Sequence, residues 1–327
     1  MPKEGKMKKG WIALLVSFVC LMISPTWGGM VCAEEFPKRP IQIVVPWDAG
    51  GETDIVTRMV ASSMHKYLGQ PTVVINKPGA GGILGHEFFL KAPADGYTLV
   101  STGPTLMIIS RLQKTSYSVS DFFPLVQMCK TRALVLVPKD SPWRNLNDFF
   151  TDAKKNPGGV QFGVPGVGSW HRLMWEVLID QTEINIAMVP FTGNASVITA
   201  LLGGHIKVAL LEPLSVLSHI RSGALKPLAI SEKDDQNFPG VLTFAEQGIK
   251  GDFSLWRGIL GHKNLPPERV QILEKAFTKV LDDHEYRQGL KKLESTPGNL
   301  VGENFRKFLN DDDKVYAKMV TIILKKK

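Results

Sequence analysis

From Ile41 onward the chain alternates short apolar runs with longer amphipathic stretches, and this rhythm constrains the fold more than any other feature. The runs IQIVV, TVVIN and YTLVST are separated by helix-like segments at 54–67 and 82–92. Strands alternating with helices imply βαβ units and mainly parallel sheets flanked by helices. After ALVLVP (133–138) the pattern restarts with a helix near 145–156, VQFGVP, a helix near 169–181, NIAMVPF, a helix near 194–203, KVALLE and PLAI. Strand character returns at Trp256–Gly261, and helical blocks follow at about 266–291 and 301–324. The expected architecture is α/β in two lobes, 34–133 with 256–327 and 134–255, the chain crossing between them twice. A length of 327 residues allows a core in each lobe.

The N-terminus has a different character. Lys3, Lys6, Lys8 and Lys9 precede an apolar run from Trp11 to Ile23, and Pro25 and Gly28–Gly29 follow it. The run is too short to span a bilayer comfortably. With Val31-Cys32-Ala33 behind it, the segment reads as a signal peptide over 1–33, cleaved after Ala33, which predicts a periplasmic protein. Val19 and Val31 stand before Cys20 and Cys32, where a lipoprotein needs a small residue. Cleavage leaves 35 basic against 30 acidic residues, a charge of +5 instead of +8, and Cys129 as the one cysteine. That excess is modest, and no basic stripe with interleaved aromatics marks a nucleic-acid surface. Without an internal disulfide, the exported chain depends on its core.

Enzyme signatures fail on spacing. In PGAGGILG (78–85) the third glycine comes one place late for a dinucleotide fingerprint. In GVGSW (166–170), Val167 and His171 stand where a nucleophile elbow needs glycines. The seven histidines show no metal-ligand spacing, so neither metal nor cofactor is expected. A hydrolase using Ser169 and His171 is disfavoured, because side chains two apart at a helix start diverge. The chain is therefore read as a non-enzyme.

What recurs is a set of glycine-bearing polar turns after strands: PWDAGGETD, STGPT, GVPGVGS and PFTGN, with LLEPLS as a fifth turn. Backbone N–H groups and short hydroxyls at strand ends suit a small polar ligand. The first turn also carries acids. Asp54 falls in the first helical turn, four residues before Arg58, which suggests a structural role, and Glu52 is expected in solvent.

The stretches PWDAGGETDIVTR, NKPGAGGILG with ADGYTL, VPFTG, ALLGGHIKVAL and HIRSGALKPLAI with FAEQG occur in the order and spacing of a known family. From Phe36 to the C-terminal helix, the chain resembles the Bug-type, TctC-like substrate-binding proteins of tripartite tricarboxylate transporters. The resemblance implies a type II-like periplasmic-binding-protein fold, a monomer that closes its two lobes over a small carboxylated ligand in the cleft. Its partners would be membrane transporter subunits, or a signalling protein if the receptor is a sensor. It also implies ligand contacts from Trp47, Asp48, Ala49, Gly50 and Gly51, from Ser101, Thr102, Gly103 and Thr105, from Gly166, Gly168 and Ser169, and from Phe191, Thr192 and Gly193. Departures from the family pattern add candidates. Arg172 stands where a histidine is usual, with His171 one place earlier, and Arg257 lies in a Trp-Arg-Gly segment. Either arginine could clamp a carboxylate, and Arg172 could instead be a surface residue. Asp48 and Glu212 stand where uncharged residues are common, and could meet a ligand's ammonium or hydroxyl. The alternatives are rim exposure for Asp48 and a structural ion pair for Glu212.

Overall fold

A computed structural model describes residues 35–234 and 236–325; the signal peptide expected over 1–33 lies outside them. By contact the chain divides between Phe36 and Pro37, and both sheets belong to the second unit. The first sheet is built from β1 (Ile41–Val45), β2 (Thr72–Asn76), β3 (Thr98–Thr102), β4 (Phe122–Thr131), β10 (Leu255–His262) and β11 (Ser295–Pro297), in the order β11-β4-β10-β3-β1-β2. The second comprises β5 (Leu134–Pro138), β6 (Gln161–Val164), β7 (Ala187–Pro190), β8 (Val208–Leu211) and β9 (Leu225–Ile230), in the order β7-β6-β8-β5-β9. Helices α1 (Glu52–Leu68), α2 (Ile83–Leu90), α3 (Thr105–Leu112), α8 (Pro267–Asp282), α9 (His284–Lys292) and α10 (Glu303–Lys325) accompany the first sheet. Helices α4 (Leu146–Lys155), α5 (Trp170–Thr182), α6 (Asn194–Leu202) and α7 (Pro213–Arg221) accompany the second. The fold is two-lobed α/β.

The expectation of mainly parallel sheets needs correction. β1 is parallel to β2 and β3, and β6 is parallel to β7 and β8. In contrast β10 is antiparallel to its neighbours β3 and β4, and β11 to β4, in the first sheet, as β5 is to β8 and β9 in the second. A strand that returns from the other lobe enters its sheet from the opposite end. Its apolar run is buried on both faces and carries no sign of direction. The sequence reading also missed β4, whose third residue is Pro124. Pro124 pairs with Leu260 where the β4–β10 register shifts, and such an irregularity tolerates a missing N–H.

The strands end where their sequences stop supplying ladder partners. Fully buried Val44 and Val45 lead into Pro46, which cannot donate, and Val45 closes the ladder by accepting Lys77 N–H at 2.8 Å. The chain then turns through glycine into α1, which ends at Gly69 in the left-handed conformation (φ +67°). One apolar cluster runs through both lobes, joining Val44 and Val100 to Val135, Phe162 and Val208, with Phe305, Leu309 and Tyr316 of α10 packed in. Trp170 of α5 donates its indole N–H to Tyr316 of α10 at 3.2 Å, so the C-terminal helix bridges the lobes. A second cluster lies between the other face of the second sheet and α6 and α7.

Candidate functional site

The four glycine turns and the LLEPLS turn lie where strands of the two sheets hand over to helices: β1 to α1, β3 to α3, β6 to α5, β7 to α6 and β8 to α7. Helices α1, α3, α6 and α7 begin at Gly51, Pro104, Gly193 and Glu212, and none has a side chain capping its first N–H groups. An uncapped N-terminus presents the positive end of the helix dipole, and any N–H left without a partner, to an anion; in α3 Leu106 and Met107 N–H already turn back to Gly103 O and Pro104 O, and in α7 Pro213 lacks an N–H and Ser215 N–H meets Glu212 O. Helix α5 differs, because Ser169 accepts Arg172 N–H at 3.3 Å and caps it.

In the first turn Trp47, Asp48, Ala49, Gly50 and Gly51 lie at or near the surface, Trp47 half-buried and the rest exposed. Gly50 has φ +84°, a conformation that suits glycine. Its N–H donates to Asp54 Oδ2 at 2.9 Å, so this amide is already engaged. Asp54 also accepts Arg58 Nε at 3.0 Å and Asn76 Nδ2 at 2.9 Å. Burial alone would push its carboxyl up; these hydrogen bonds outweigh that and hold it below the ordinary range. Asp54 thus pairs with Arg58 as the sequence suggests, and also ties down the glycine turn.

Glu52 departs from expectation. Its side chain is 8% exposed, and its carboxylate forms a fork with Arg257, NH1 to Oε1 at 3.2 Å and NH2 to Oε2 at 3.1 Å. The hydroxyls of Thr131 (2.6 Å) and Ser295 (3.1 Å) complete its shell. A solvated position was expected because nothing local in sequence marks a partner 205 residues away.

The second-turn residues Ser101, Thr102 and Gly103 are buried, with Thr105 half-buried. The Ser101 hydroxyl lies 2.8 Å from that of Thr57, and Thr102 lies 3.0 Å from His86 Nε2, so both are engaged inside the first lobe. Burial lowers the His86 imidazole to about 3, despite an opposing hydrogen bond at Gly82, so it is neutral at physiological pH. Gly103 is required by space: a Cβ there would stand 2.8 Å from the Trp256 carbonyl oxygen.

In the third turn, Gly166 adopts φ +116°, and a Cβ on Gly168 would meet Ile109 Cδ1 of α3 at 2.9 Å, so this turn approaches the other lobe closely. The Ser169 hydroxyl donates to Gly166 O at 2.8 Å. His171 makes no hydrogen bond to it, which removes the Ser–His relay of a hydrolase. Arg172 is turned to its own element: NH1 donates to Val167 O at 2.9 Å and Nε lies 3.8 Å from Glu176. It braces the third turn and is not a free clamp. In the fourth turn Phe191 and Gly193 are half-buried and Thr192 is exposed.

Glu212 is 3% exposed and does not cap its own helix. Its Oε2 lies 3.2 Å from His171 Nε2 and accepts Asn194 Nδ2 at 2.9 Å, while Oε1 lies 3.9 Å from Arg257 NH2. Burial would raise this carboxyl, but its interactions with His171 and Arg257 outweigh it and hold the group low. Arg257 also donates Nε to Thr53 at 3.1 Å and NH1 to Thr131 at 2.9 Å. A buried chain of charges, Glu52–Arg257–Glu212–His171, therefore links the start of α1 to the start of α7. Both proposed arginine clamps are committed within the protein, and the structural pairing foreseen for Glu212 is present. Asp48 is exposed. Sequence reasoning missed Glu52, Thr131, Asn194 and Ser295. The available signal was an arginine inside the otherwise apolar strand LWRGILGH, which demands buried counter-charges.

Among the described residues no cluster of histidine, cysteine or carboxylate side chains could hold a metal ion, and no helix is long and apolar enough to cross a membrane. The family model for the tripartite tricarboxylate transporter family receptor (TctC) matches residues 56–325. The chain belongs to this receptor family. Its members and structural neighbours are solute receptors, not enzymes, and the family is periplasmic. The receptor is 33% identical to BugT of Bordetella pertussis, over 89% of this chain and 91% of BugT. It is 32% identical to a UPF0065 protein of Cupriavidus necator, over 84% and 85% of the two chains. Among solved structures, a TctC solute-binding protein from Polaromonas has a TM-score of 0.75 at 31% identity, covering 88% of this receptor and 99% of that chain. The periplasmic binding protein BugD has a TM-score of 0.74 at 28% identity, covering 89% and 98%. MatC from Rhodopseudomonas palustris, solved with bound malate, has a TM-score of 0.73 at 25% identity, covering 87% and 100%.

Proposed function

We propose that this receptor is exported to the periplasm, binds a small carboxylated molecule between its lobes and delivers it to a tripartite tricarboxylate-type membrane transporter. The observation that carries the reading is the set of four uncapped helix N-termini, α1, α3, α6 and α7, at the strand-to-helix turns of both sheets. Backbone donors and helix dipoles can hold a carboxylate without a dedicated cation, which is consistent with Arg172 and Arg257 being engaged elsewhere. The malate bound to MatC supports the ligand class.

The lobes would be 34–133 with 256–327, and 134–255, moving about the two crossings as a hinge. Ligand contact would come from the exposed first turn, Thr105, Gly166, Gly168 and the fourth turn. Ser101 and Thr102 would act from beneath by shaping β3. A thermal-shift screen of mono-, di- and tricarboxylates, amino acids and aromatic acids tests the reading. A true ligand at about a hundred times its Kd adds roughly 2.7 kcal/mol of stability. Absence of any response across these classes refutes the proposal. Intact-mass analysis of protein recovered from the periplasm should find a chain beginning at Glu34.

A further inference from the structure

The charged chain Glu52–Arg257–Glu212–His171 is built from two halves, one in each lobe, and the lobes meet at the join between them. In the first lobe Glu52 is held by Arg257 at 3.1 and 3.2 Å, by Thr131 at 2.6 Å and by Ser295 at 3.1 Å. Arg257 also donates to Thr53 at 3.1 Å and to Thr131 at 2.9 Å. In the second lobe Glu212 Oε2 accepts Asn194 Nδ2 at 2.9 Å and lies 3.2 Å from His171, and Asn194 reaches Ser215 Oγ at 3.2 Å. The link across, Arg257 NH2 to Glu212 Oε1, is longer at 3.9 Å and is an ion pair without a hydrogen bond. Parting the lobes at this plane breaks none of these hydrogen bonds and leaves each carboxylate with partners in its own lobe.

The side chains of Arg257 and Glu212 are 7% and 5% exposed, so water is excluded from the gap and opposite charges attract across it more strongly than at a surface. The lobes also meet at the third turn, where a Cβ on Gly168 would stand 2.9 Å from Ile109 Cδ1, an apolar approach with no polar bond to break. Resting on the receptor function proposed above, we infer that Arg257 and Glu212 form an electrostatic latch between the lobes, which holds part of the empty receptor closed. Glu52 shares the guanidinium from within its own lobe, so it tempers the latch without bridging the cleft. The latch lowers the free energy of closing, and a ligand that needs the closed form then binds with a higher apparent affinity.

The test measures the distance between two spin labels by pulsed electron paramagnetic resonance, on ligand-free receptor recovered from the periplasm. The labels go on Leu84→Cys of α2 and Leu202→Cys of α6, exposed positions on the two lobes, while buried Cys129 stays unlabelled. Glu212→Gln keeps an acceptor for Asn194 but removes the charge facing Arg257. It should raise the ratio of open to closed receptor about tenfold. Glu52→Gln takes a carboxylate from the same guanidinium within one lobe, so its ratio should stay level or fall. Merely structural roles would lower the melting temperature of both variants and leave the two ratios alike. Circular dichroism verifies folding. Should Glu212→Gln fail to fold, Glu212→Asp, which draws the charge back from Arg257 by one methylene, must shift the ratio in the same direction. An unchanged ratio in the folded Glu212 variant, or an equal rise in Glu52→Gln, overturns the latch and leaves the receptor function standing. The carboxylate screen decides that function separately, because silence there refutes it whatever the labels report.

Discussion

Replacing Arg257 with methionine keeps most of the side-chain volume and removes the cation on which two buried carboxylates depend. The side chains of Arg257, Glu52 and Glu212 are only 7%, 8% and 5% exposed, so water cannot substitute for the lost guanidinium. Breaking one member out of a buried ion pair costs about 3–5 kcal/mol, mostly from the uncompensated charge left behind. For a chain of this size that corresponds to a melting temperature lower by roughly 6–10 °C. Glu212 retains His171 and Asn194, so the greater loss falls on Glu52. Adding Glu52→Gln to Arg257→Met should therefore recover all but about 1–2 kcal/mol, because glutamine can still accept from Thr131 and Ser295. Acid should narrow the gap between wild type and Arg257→Met. The contribution of depressed Glu212 is present above the ordinary glutamate value of 4.5 and fades as pH falls toward about 2, and Arg257 is one of its causes. The assay is thermal melting of the purified protein across pH. A loss below about 1 kcal/mol for Arg257→Met, or no recovery on adding Glu52→Gln, would refute the buried-network argument.

Gly103→Ala should destabilise by about 1–3 kcal/mol, because its Cβ would stand 2.8 Å from a backbone oxygen that cannot rotate away; chemical denaturation measures it. Asp312 accepts the Trp256 indole N–H at 2.6 Å, and burial raises its carboxyl to about 7 against an ordinary 3.8. Its stabilising contribution is full below pH 3.8 and lost as pH rises to about 7. Partial exposure reduces the effect to about 2 kcal/mol, so Asp312→Asn should raise the melting temperature at pH 8 and leave it nearly unchanged near pH 4. Cys129 is fully buried and its thiol is pushed up to about 12 by burial, so peptide mapping after alkylation should find it modified only in denaturant.

Much of the fold was legible because it rests on local pattern. Helix α4 (Leu146–Lys155) and strand β5 (Leu134–Pro138) fall within a residue or two of their expected bounds. Strand β4 was not legible, since Pro124 argues against a central strand until its partner is known. The site divides in the same way. Asp54 and Arg58 are four residues apart and could be paired on paper, whereas Glu52 and Arg257 could not. Arg172 invited a clamp reading from its place beside a glycine turn, but five residues of helix-start geometry return its guanidinium to Val167 O.

The sequence by itself determined the α/β class, the positions of the glycine turns and the family, because strand and helix periodicity and turn chemistry act over a few residues. Only the tertiary structure decided which strands run against their neighbours and which acids are neutralised. Of the three acids around the first turn, Asp54 is held by Arg58, Asn76 and Gly50, Glu52 by Arg257, Thr131 and Ser295, and Asp48 faces solvent. Charge interaction depends on distance and on the water excluded between groups. For Glu52, both are fixed when strands far apart in sequence come together in one sheet.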